Sequence, residues 1–249
     1  MKKRNSFLQK LEKMRVAEYM QSMLGDLSHS IAIERLGPWL TQRIFWRAKT
    51  SEKIIALSFD DGPNKVFTPD LLQTLDQYRV PATFFLIGQH VENSPAIAKE
   101  IANGPHEIGN HTFTHPTLPL LDDDEVTREL RDTHEIIGEV TGKQPTFMRP
   151  PMGLFTKRVV NLAARLGYLT VVGDVYPRDP HKPGAEKIIR RVLSRVQPGS
   201  LIILHDGGNT SCVDRSQTLH SVKTIVPKLL DDGYRFVTLS ELVAANNGV

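Results

Sequence analysis

Short apolar runs alternate with amphipathic patterns along most of the chain, from about residue 53 onward. The apolar runs have the length and flanking turn residues of buried strands, and they cover residues 54–59, 82–87, 106–109, 146–149, 168–172, 200–204 and 235–239. Between them, apolar residues recur at three- and four-residue steps, which predicts helices over about 68–78, 94–104, 122–141, 156–167, 185–196 and 217–232. About seven strand–helix units predict an α/β fold with a parallel sheet, closed or nearly closed into a barrel.

The first fifty residues carry a different pattern. Apolar residues at helical spacing predict an amphipathic helix from about residue 5, and Gly37-Pro38 ends the pattern. We therefore divide the chain into an N-terminal helical extension, residues 1–50, and a barrel domain, residues 51–249. Two interpretations of the extension stay open: it packs on the outside of the domain, or it contacts an anionic membrane surface reversibly. The second is suggested by three aromatic residues that stand among cations: Trp39, Phe45 and Trp46.

The charge distribution limits the class of partner. Residues 1–50 hold ten Lys and Arg against four Asp and Glu, whereas residues 51–249 hold 21 against 24. The predicted barrel is therefore mildly acidic, which argues against nucleic acid because phosphate binding needs a basic face. The single cysteine, Cys212, excludes an internal disulfide and a thiolate-rich zinc site.

The N-terminal sequence bears on location. It begins Met-Lys-Lys-Arg, like the charged start of a secretion signal, but no apolar core segment follows. No apolar stretch approaches the length of a membrane span. A cytoplasmic location is therefore predicted, with peripheral membrane contact through residues 1–50 as an additional hypothesis.

Reactive side chains recur just after predicted strands. Parallel barrels gather their active sites where the strands end, because the loops there open on one face. The residues expected to share this rim are Asp60 and Asp61, His111 and His115, Arg149, Asp174 and Asp179, and His205 and Asp206.

Two histidines four residues apart indicate a metal site. A single helical turn would present His111 and His115 side by side. With Asp61 as the natural third ligand, they form a set suited to Zn²⁺ or a similar divalent ion. Hydrolysis at such a site needs a proton acceptor and a proton donor. Asp60, adjacent to the carboxylate ligand, is the obvious base, and His205, on the opposite side, is the obvious acid.

Four segments carry a family resemblance. They are Ser-Phe-Asp-Asp-Gly-Pro (58–63), His-Glu-Ile-Gly-Asn-His-Thr-Phe-Thr-His-Pro (106–116), Arg-Pro-Pro-Met-Gly (149–153) and Leu-His-Asp (204–206). Together they closely resemble the signature motifs of the polysaccharide deacetylases, the NodB-homology domains of the fourth carbohydrate esterase family. The match runs in order from about residue 53 to residue 243.

The resemblance implies a distorted (β/α)7 barrel. It also implies metal-dependent removal of N-acetyl groups from an N-acetylglucosamine-containing oligo- or polysaccharide, such as a chitin or peptidoglycan fragment. The roles that it assigns are base for Asp60, metal ligands for Asp61, His111 and His115, acid for His205, and stabiliser of ionised Asp60 for Arg149. By the same resemblance, Asp179 orients His205 and raises its pKa, and the Pro151–Met152 segment meets the substrate, where the Met152 N–H stabilises the oxyanion.

Some positions depart from the family pattern and keep alternatives open. Met152 stands where Tyr or Phe is usual, Gly173 and Pro180 where Trp is usual, and Ile203 where Leu is usual. The altered pocket walls are also compatible with an O-acetyl sugar esterase, with a hydrolase of small cyclic amides or imides, or with an inactive saccharide-binding domain. Asp174 stays an alternative to Asp179 as the partner of His205.

Overall fold

The computed structural model describes residues 43–210 and 213–246, and the strands in these residues form one sheet. The strands are β1 Ile44–Phe45, β2 Ile54–Gly62, β3 Thr83–Leu86, β4 Glu107–Asn110, β5 Phe147–Met148, β6 Leu169–Val171, β7 Leu201–His205 and β8 Arg235–Val237. Their order is β1-β6-β5-β4-β3-β2-β7, and β8 also pairs with β2. All of these pairs are parallel, as the alternation of strands and helices predicts.

The two ends of the sheet meet through isolated bridges. Arg47, just after β1, bridges to Ser200, and Val175, beyond β6, bridges to Ile202 in β7. The sheet therefore curves back on itself, and single bridges replace a continuous ladder at the seam. The predicted distorted barrel is confirmed.

Helices connect the strands and cover the outside of the sheet. They are α1 Phe67–Tyr78, α2 Gly88–Asn93, α3 Pro95–Asn103, α4 Asp123–Thr141, α5 Lys157–Arg165, α6 Ala185–Leu193, α7 Ser216–Asp231 and α8 Leu239–Ala245. All six predicted helices are present, whereas α2 and α8 were not predicted. A capping box between Thr238 and Glu241 begins α8, so a local signal for this helix was present in the sequence.

Strand β2 separates two layers of the core. Ile55, Leu57 and Phe59 pack with the side chains of the outer helices, whereas Ala56 belongs to a second cluster with Phe85. Since successive side chains of a strand point to opposite faces, Ser58 and Asp60 lie on the same face of β2 as Ala56. The carboxylate of Asp60 is therefore directed to the inside of the barrel.

Of the predicted extension, residues 1–50, the structure describes only residues 43–50. Its amphipathic helix lies outside the described residues, but Ile44 and Phe45 form β1 and pair with β6. Phe45 and Trp46 are 6% and 7% exposed, so neither side chain is available for a membrane surface. The barrel domain therefore begins upstream of residue 51. No helix among the described residues is both long enough and apolar enough to cross a membrane.

Candidate active site

The register of the sheet brings the predicted site residues to one level. Asp60 at the end of β2 pairs with His205 at the end of β7. On the other side of β2, Gly62 pairs with Leu86, Leu86 with Asn110, and Asn110 with Met148. The residues that follow these positions, His111 and Arg149, therefore lie on the same rim as the two aspartates.

Asp61, His111 and His115 form a compact cluster. The Asp61 Oδ1 atom lies 3.3 Å from His111 Nε2 and 3.2 Å from His115 Nε2. One ligand atom from each residue lies within 4.8 Å of the other two. Burial alone would raise the pKa of Asp61, but the contacts with the two histidines and the charge on His205 hold it well below its usual value of 3.8.

The cluster fits a divalent metal ion. Asp61 Oδ1 is buried and has no hydrogen-bond partner among the described residues, although two ring nitrogens face it. His111 Nδ1 lies 2.8 Å from the Arg149 carbonyl oxygen; since a carbonyl only accepts, Nδ1 carries the hydrogen and Nε2 presents its lone pair. Outer hydrogen bonds of this kind orient histidine ligands in metal sites. Two imidazole nitrogens and one carboxylate oxygen are a donor set that Zn²⁺ accepts.

The two histidines are not arranged on a helical turn, so that part of the prediction is wrong. The segment from His111 to His115 is a loop in which Thr112 and His115 have φ values of 67° and 58°. Glu129 of α4 holds this loop by accepting from the backbone N–H groups of Phe113 and Thr114 at 2.7 and 2.8 Å. The imidazoles therefore meet because a distant carboxylate shapes the loop.

Asp60 is paired with a buried arginine. Arg149 Nη1 donates to Asp60 Oδ1 at 2.5 Å and to Ser58 Oγ at 2.9 Å, and the guanidinium lies 4.0 Å from the centre of the Phe85 ring. Burial lowers the pKa of Arg149, and Asp60 opposes that shift. A guanidinium keeps its charge in proteins, so Arg149 places a permanent positive charge against the Asp60 carboxylate and fixes its orientation.

His205 is paired with a buried aspartate. Its Nδ1 lies 3.0 Å from Asp179 Oδ1, and its backbone N–H donates to Asp179 Oδ2 at 2.9 Å. Thr218 Oγ1 also donates to Asp179 Oδ2, at 2.8 Å. Burial by itself lowers the pKa of His205, but the charge and hydrogen bond of Asp179 outweigh it and raise the pKa to about 9. The Nε2 atom is then left to act as a proton donor.

Asp174 does not reach His205. Its carboxylate accepts from Ser200 Oγ at 2.9 Å and from the Leu201 backbone N–H at 2.8 Å, at the beginning of β7. Burial raises its pKa to about 6. Of the two aspartates that the sequence left open, Asp179 is therefore the partner of His205.

Pro151 and Met152 lie in a 3₁₀ turn directly after Arg149. Pro151 is buried, whereas the side chain of Met152 is 44% exposed and its φ is 59°. The turn thus presents Met152 to solvent at the rim. Its role as oxyanion donor stays a prediction.

Three buried or half-buried residues near Asp61 were not assigned a role from the sequence. His90 Nδ1 lies 2.9 Å from the Asp61 carbonyl oxygen, and Arg215 Nη2 lies 3.8 Å from Asp61 Oδ2. Asp206 accepts from Thr68 Oγ1, and burial raises the pKa of Asp206 to about 7. Only Asp206 had a sequence signal, since it adjoins His205; His90 and Arg215 are isolated in the sequence.

Fold and site together define a class of protein. A parallel α/β barrel carries at one rim a cluster of three side chains that could hold a metal ion, with a carboxylate and an imidazole on neighbouring strands, and metal-assisted hydrolysis uses groups of these kinds. A family model described as "Polysaccharide deacetylase" matches residues 47–171. The chain belongs to this family.

Individual relatives agree with the family assignment. The chain is 40% identical over 205 residues to a peptidoglycan-N-acetylglucosamine deacetylase of Bacillus cereus, which covers 82% of this chain and 94% of the relative. It is 38% identical over 196 residues to a chitooligosaccharide deacetylase of Bradyrhizobium sp., with 76% and 90% covered. A crystal structure of a peptidoglycan N-acetylglucosamine deacetylase in complex with 4-naphthalen-1-yl-N-oxidanyl-benzamide matches with a TM-score of 0.77 and 34% identity, covering 82% of this chain and 94% of that one.

Proposed function

We propose that this protein removes N-acetyl groups from N-acetylglucosamine residues of an oligo- or polysaccharide, with a divalent metal ion as cofactor. The observation that carries the proposal is the pairing of Asp60 with His205 across β2 and β7, with the Asp61 cluster beside them. The names of the relatives support the substrate class, since they describe deacetylases of peptidoglycan N-acetylglucosamine and of chitooligosaccharides.

Zn²⁺ is the ion that we propose for the cluster. Asp61, His111 and His115 would hold it through one carboxylate oxygen and two imidazole nitrogens, and this mixed donor set is typical of zinc hydrolases. When bound, such an ion polarises the acetyl carbonyl and lowers the pKa of a nearby water. Metal analysis of the purified protein tests the choice of ion.

The chain's own residues move the protons. Asp60 accepts a proton from the water that adds to the acetyl carbon, and Arg149 holds the carboxylate in place through its hydrogen bond. The Met152 N–H donates to the oxygen that becomes negative. His205 Nε2 then donates a proton to the sugar nitrogen as the C–N bond breaks, which yields acetate and a free amine.

Acetate release tests the proposal directly. Metal-loaded protein is incubated with chitooligosaccharides and with peptidoglycan fragments, and acetate and free amine are measured against Asp60→Asn as the inactive control. Equal amounts of acetate and amine from either saccharide are expected. Turnover of O-acetyl sugars or cyclic imides alone would replace this proposal with the corresponding alternative, and no turnover of any substrate would favour a binding domain.

The cytoplasmic location and the membrane contact of residues 1–50 stay predictions. Two of the three aromatic residues that suggested the contact, Phe45 and Trp46, are in the core, so the hypothesis now depends on residues upstream of β1. Flotation of the full chain with acidic and with neutral vesicles tests it. Recovery with acidic vesicles alone would support contact through the basic extension.

A further inference from the structure

The metal ligand Asp61 has a backbone conformation that needs support. Its φ is 70°, and it lies where the register between β2 and β3 shifts, between Asp60 and Gly62. A residue other than glycine keeps such a conformation only where its surroundings hold it. The contacts around Asp61 therefore decide where its carboxylate points.

His90 holds the backbone of Asp61. Its Nδ1 donates to the Asp61 carbonyl at 2.9 Å, and because a carbonyl only accepts, this nitrogen carries the hydrogen. The start of helix α2, which carries His90, is itself bonded to the histidine loop: the N–H groups of Gly88 and Gln89 donate to the carbonyls of Thr112 and Phe113, both at 3.0 Å. His90 thus links the carboxylate ligand to the loop that supplies the imidazoles.

Arg215 holds the other side of Asp61. It is 5% exposed, its Nε donates to the Gly207 carbonyl at 2.5 Å, and its Nη2 lies 3.8 Å from Asp61 Oδ2. Gly207 packs so closely on Asp61 that a Cβ atom there would overlap the Asp61 carbonyl. The two carboxylate oxygens are therefore divided, with Oδ1 facing the histidines and Oδ2 facing the guanidinium.

We propose that His90 and Arg215 are positioning residues for the metal site, one fixing the backbone of Asp61 and the other its carboxylate. The inference rests on the proposed function, because it assumes that the cluster binds a metal ion. It adds that Asp61 ligates through Oδ1 alone, since Oδ2 faces the Arg215 guanidinium instead, at 3.8 Å. Both residues would act through Asp61 rather than as ligands themselves.

Zinc affinity of the metal-free full chain tests this inference. Competition with a chromophoric chelator gives the Zn²⁺ dissociation constant, which should rise about tenfold or more in His90→Phe and in Arg215→Met, as is usual when outer partners of metal ligands are lost. His90→Asn, whose amide can replace the Nδ1 donor, should stay near the wild-type value. Arg158→Met is the matched control, because Arg158 also donates to a backbone carbonyl, that of Leu121 at 2.6 Å, but belongs to no part of the site.

Cobalt provides a second readout. In Arg215→Met the free Asp61 Oδ2 can join the ion, so the visible absorption of the Co²⁺ form should change in intensity, whereas Arg158→Met should keep the wild-type spectrum. A change in coordination number alters this spectrum even where the affinity change is small. An unchanged spectrum would overturn the assignment of Oδ2 to Arg215.

The outcomes separate this inference from the proposed function. Wild-type zinc affinity in folded His90→Phe and Arg215→Met would overturn the inference and leave the proposed function standing. Absence of zinc binding in the wild type would overturn this inference and the choice of zinc, and acetate release with other divalent ions would then decide the proposed function. Where either variant fails to fold, His90→Leu and Arg215→Lys decide: each should bind zinc at least about threefold more weakly, and wild-type affinity in both would again overturn the inference.

Discussion

The site contains two pairs of a carboxylate and a cation, arranged in opposite orders. In the first, the carboxylate of Asp60 faces the site and Arg149 lies behind it, 2% exposed. In the second, His205 faces the site and Asp179 lies behind it, with a fully buried side chain. In the proposed mechanism the group behind supports the role of the group in front: a permanent cation accompanies Asp60, the proposed acceptor, and a buried anion raises the pKa of His205, the proposed donor.

The comparison also explains why the two pairs are not interchangeable. Arginine cannot release its proton at ordinary pH, so only the Asp60 side of the first pair takes part in proton transfer. In the second pair the titratable imidazole is in front, and its charge changes with pH. We therefore expect substitutions in the first pair to lower activity without displacing the pH–activity profile. Substitutions in the second pair should lower activity and also displace the profile.

The largest effect is expected for Asp60→Asn. The amide cannot accept a proton from water, so kcat for the saccharide should fall by about 10³-fold, within the range for loss of a general base. The substitution leaves the Asp61 cluster in place, so the Zn²⁺ dissociation constant should be unchanged. Steady-state acetate release and chelator competition measure the two quantities. Loss of metal along with activity would show that Asp60 is a ligand rather than the base.

His205→Gln should reduce kcat for the saccharide by about 10²-fold, since the amine would leave without a proton donor. For an aryl acetate, whose leaving group needs no proton, kcat of His205→Gln should fall far less. Asp60→Asn should reduce kcat for both substrates alike, because both reactions need an activated water. Parallel losses on the two substrates in His205→Gln would contradict the assignment of His205 as the acid.

Asp179→Asn should act through the pKa of His205. Asp179 contributes most to raising that pKa to about 9, with smaller contributions from Asp61 and Asp60, so activity that needs the imidazolium is present below pH 9 and lost as the pH rises through it. Without Asp179, the alkaline limb of the pH–activity profile should move to lower pH. The kcat at pH 8 should then fall by about tenfold or more, whereas the loss at pH 6 should be smaller. A bound metal cation also moves this alkaline limb to lower pH, in the wild type and in Asp179→Asn alike. The measured quantity is therefore the displacement between the two pH–activity profiles. Coincident profiles would contradict the pairing.

The His205–Asp179 pair also stabilises the folded protein, and this contribution depends on pH. Because the folded pKa of His205 is raised above its usual value of 6.5, this contribution is complete below about pH 6.5 and is lost as the pH rises through about 9. Thermal unfolding of the wild type and Asp179→Asn at pH 6 and pH 9 measures it. The two proteins should differ more at the lower pH.

The smallest effect is expected for Asp174→Asn. This buried carboxylate bonds to Ser200 and Leu201 at the start of β7 and does not reach His205, so kcat should stay within about threefold of the wild type. Its pH profile should coincide with that of the wild type. A displaced alkaline limb in Asp174→Asn would show that Asp174 and Asp179 both support His205.

The sequence predicted the parts of the site whose members are close in the chain or follow strands. Asp60 and Asp61 end a long apolar run, and His205 ends another, so their meeting at one rim follows from parallel pairing alone. The histidine loop shows the limit of such reasoning. Its spacing predicted a helical turn, but the actual geometry depends on Glu129, which comes from the next helix.

The supports of Asp61 could not be predicted. His90 lies in a short helix with no apolar period, and Arg215 lies in a loop between β7 and α7, so neither carries a local signal. The same holds for β1, whose two residues form a strand only because β6 offers partners for them. Short elements of this kind depend on tertiary contacts.

By itself, the sequence determined the order of strands β2 to β8 and of the six longer helices, the barrel, and the candidate residues for the chemistry, because hydrophobic periodicity and motif residues are local properties of the chain. Only the tertiary structure decided which aspartate supports His205, how two imidazoles reach one carboxylate oxygen, and what holds that carboxylate in place. These outcomes depend on distances of about 3 to 4 Å between groups on different elements, and such distances are set when the barrel packs.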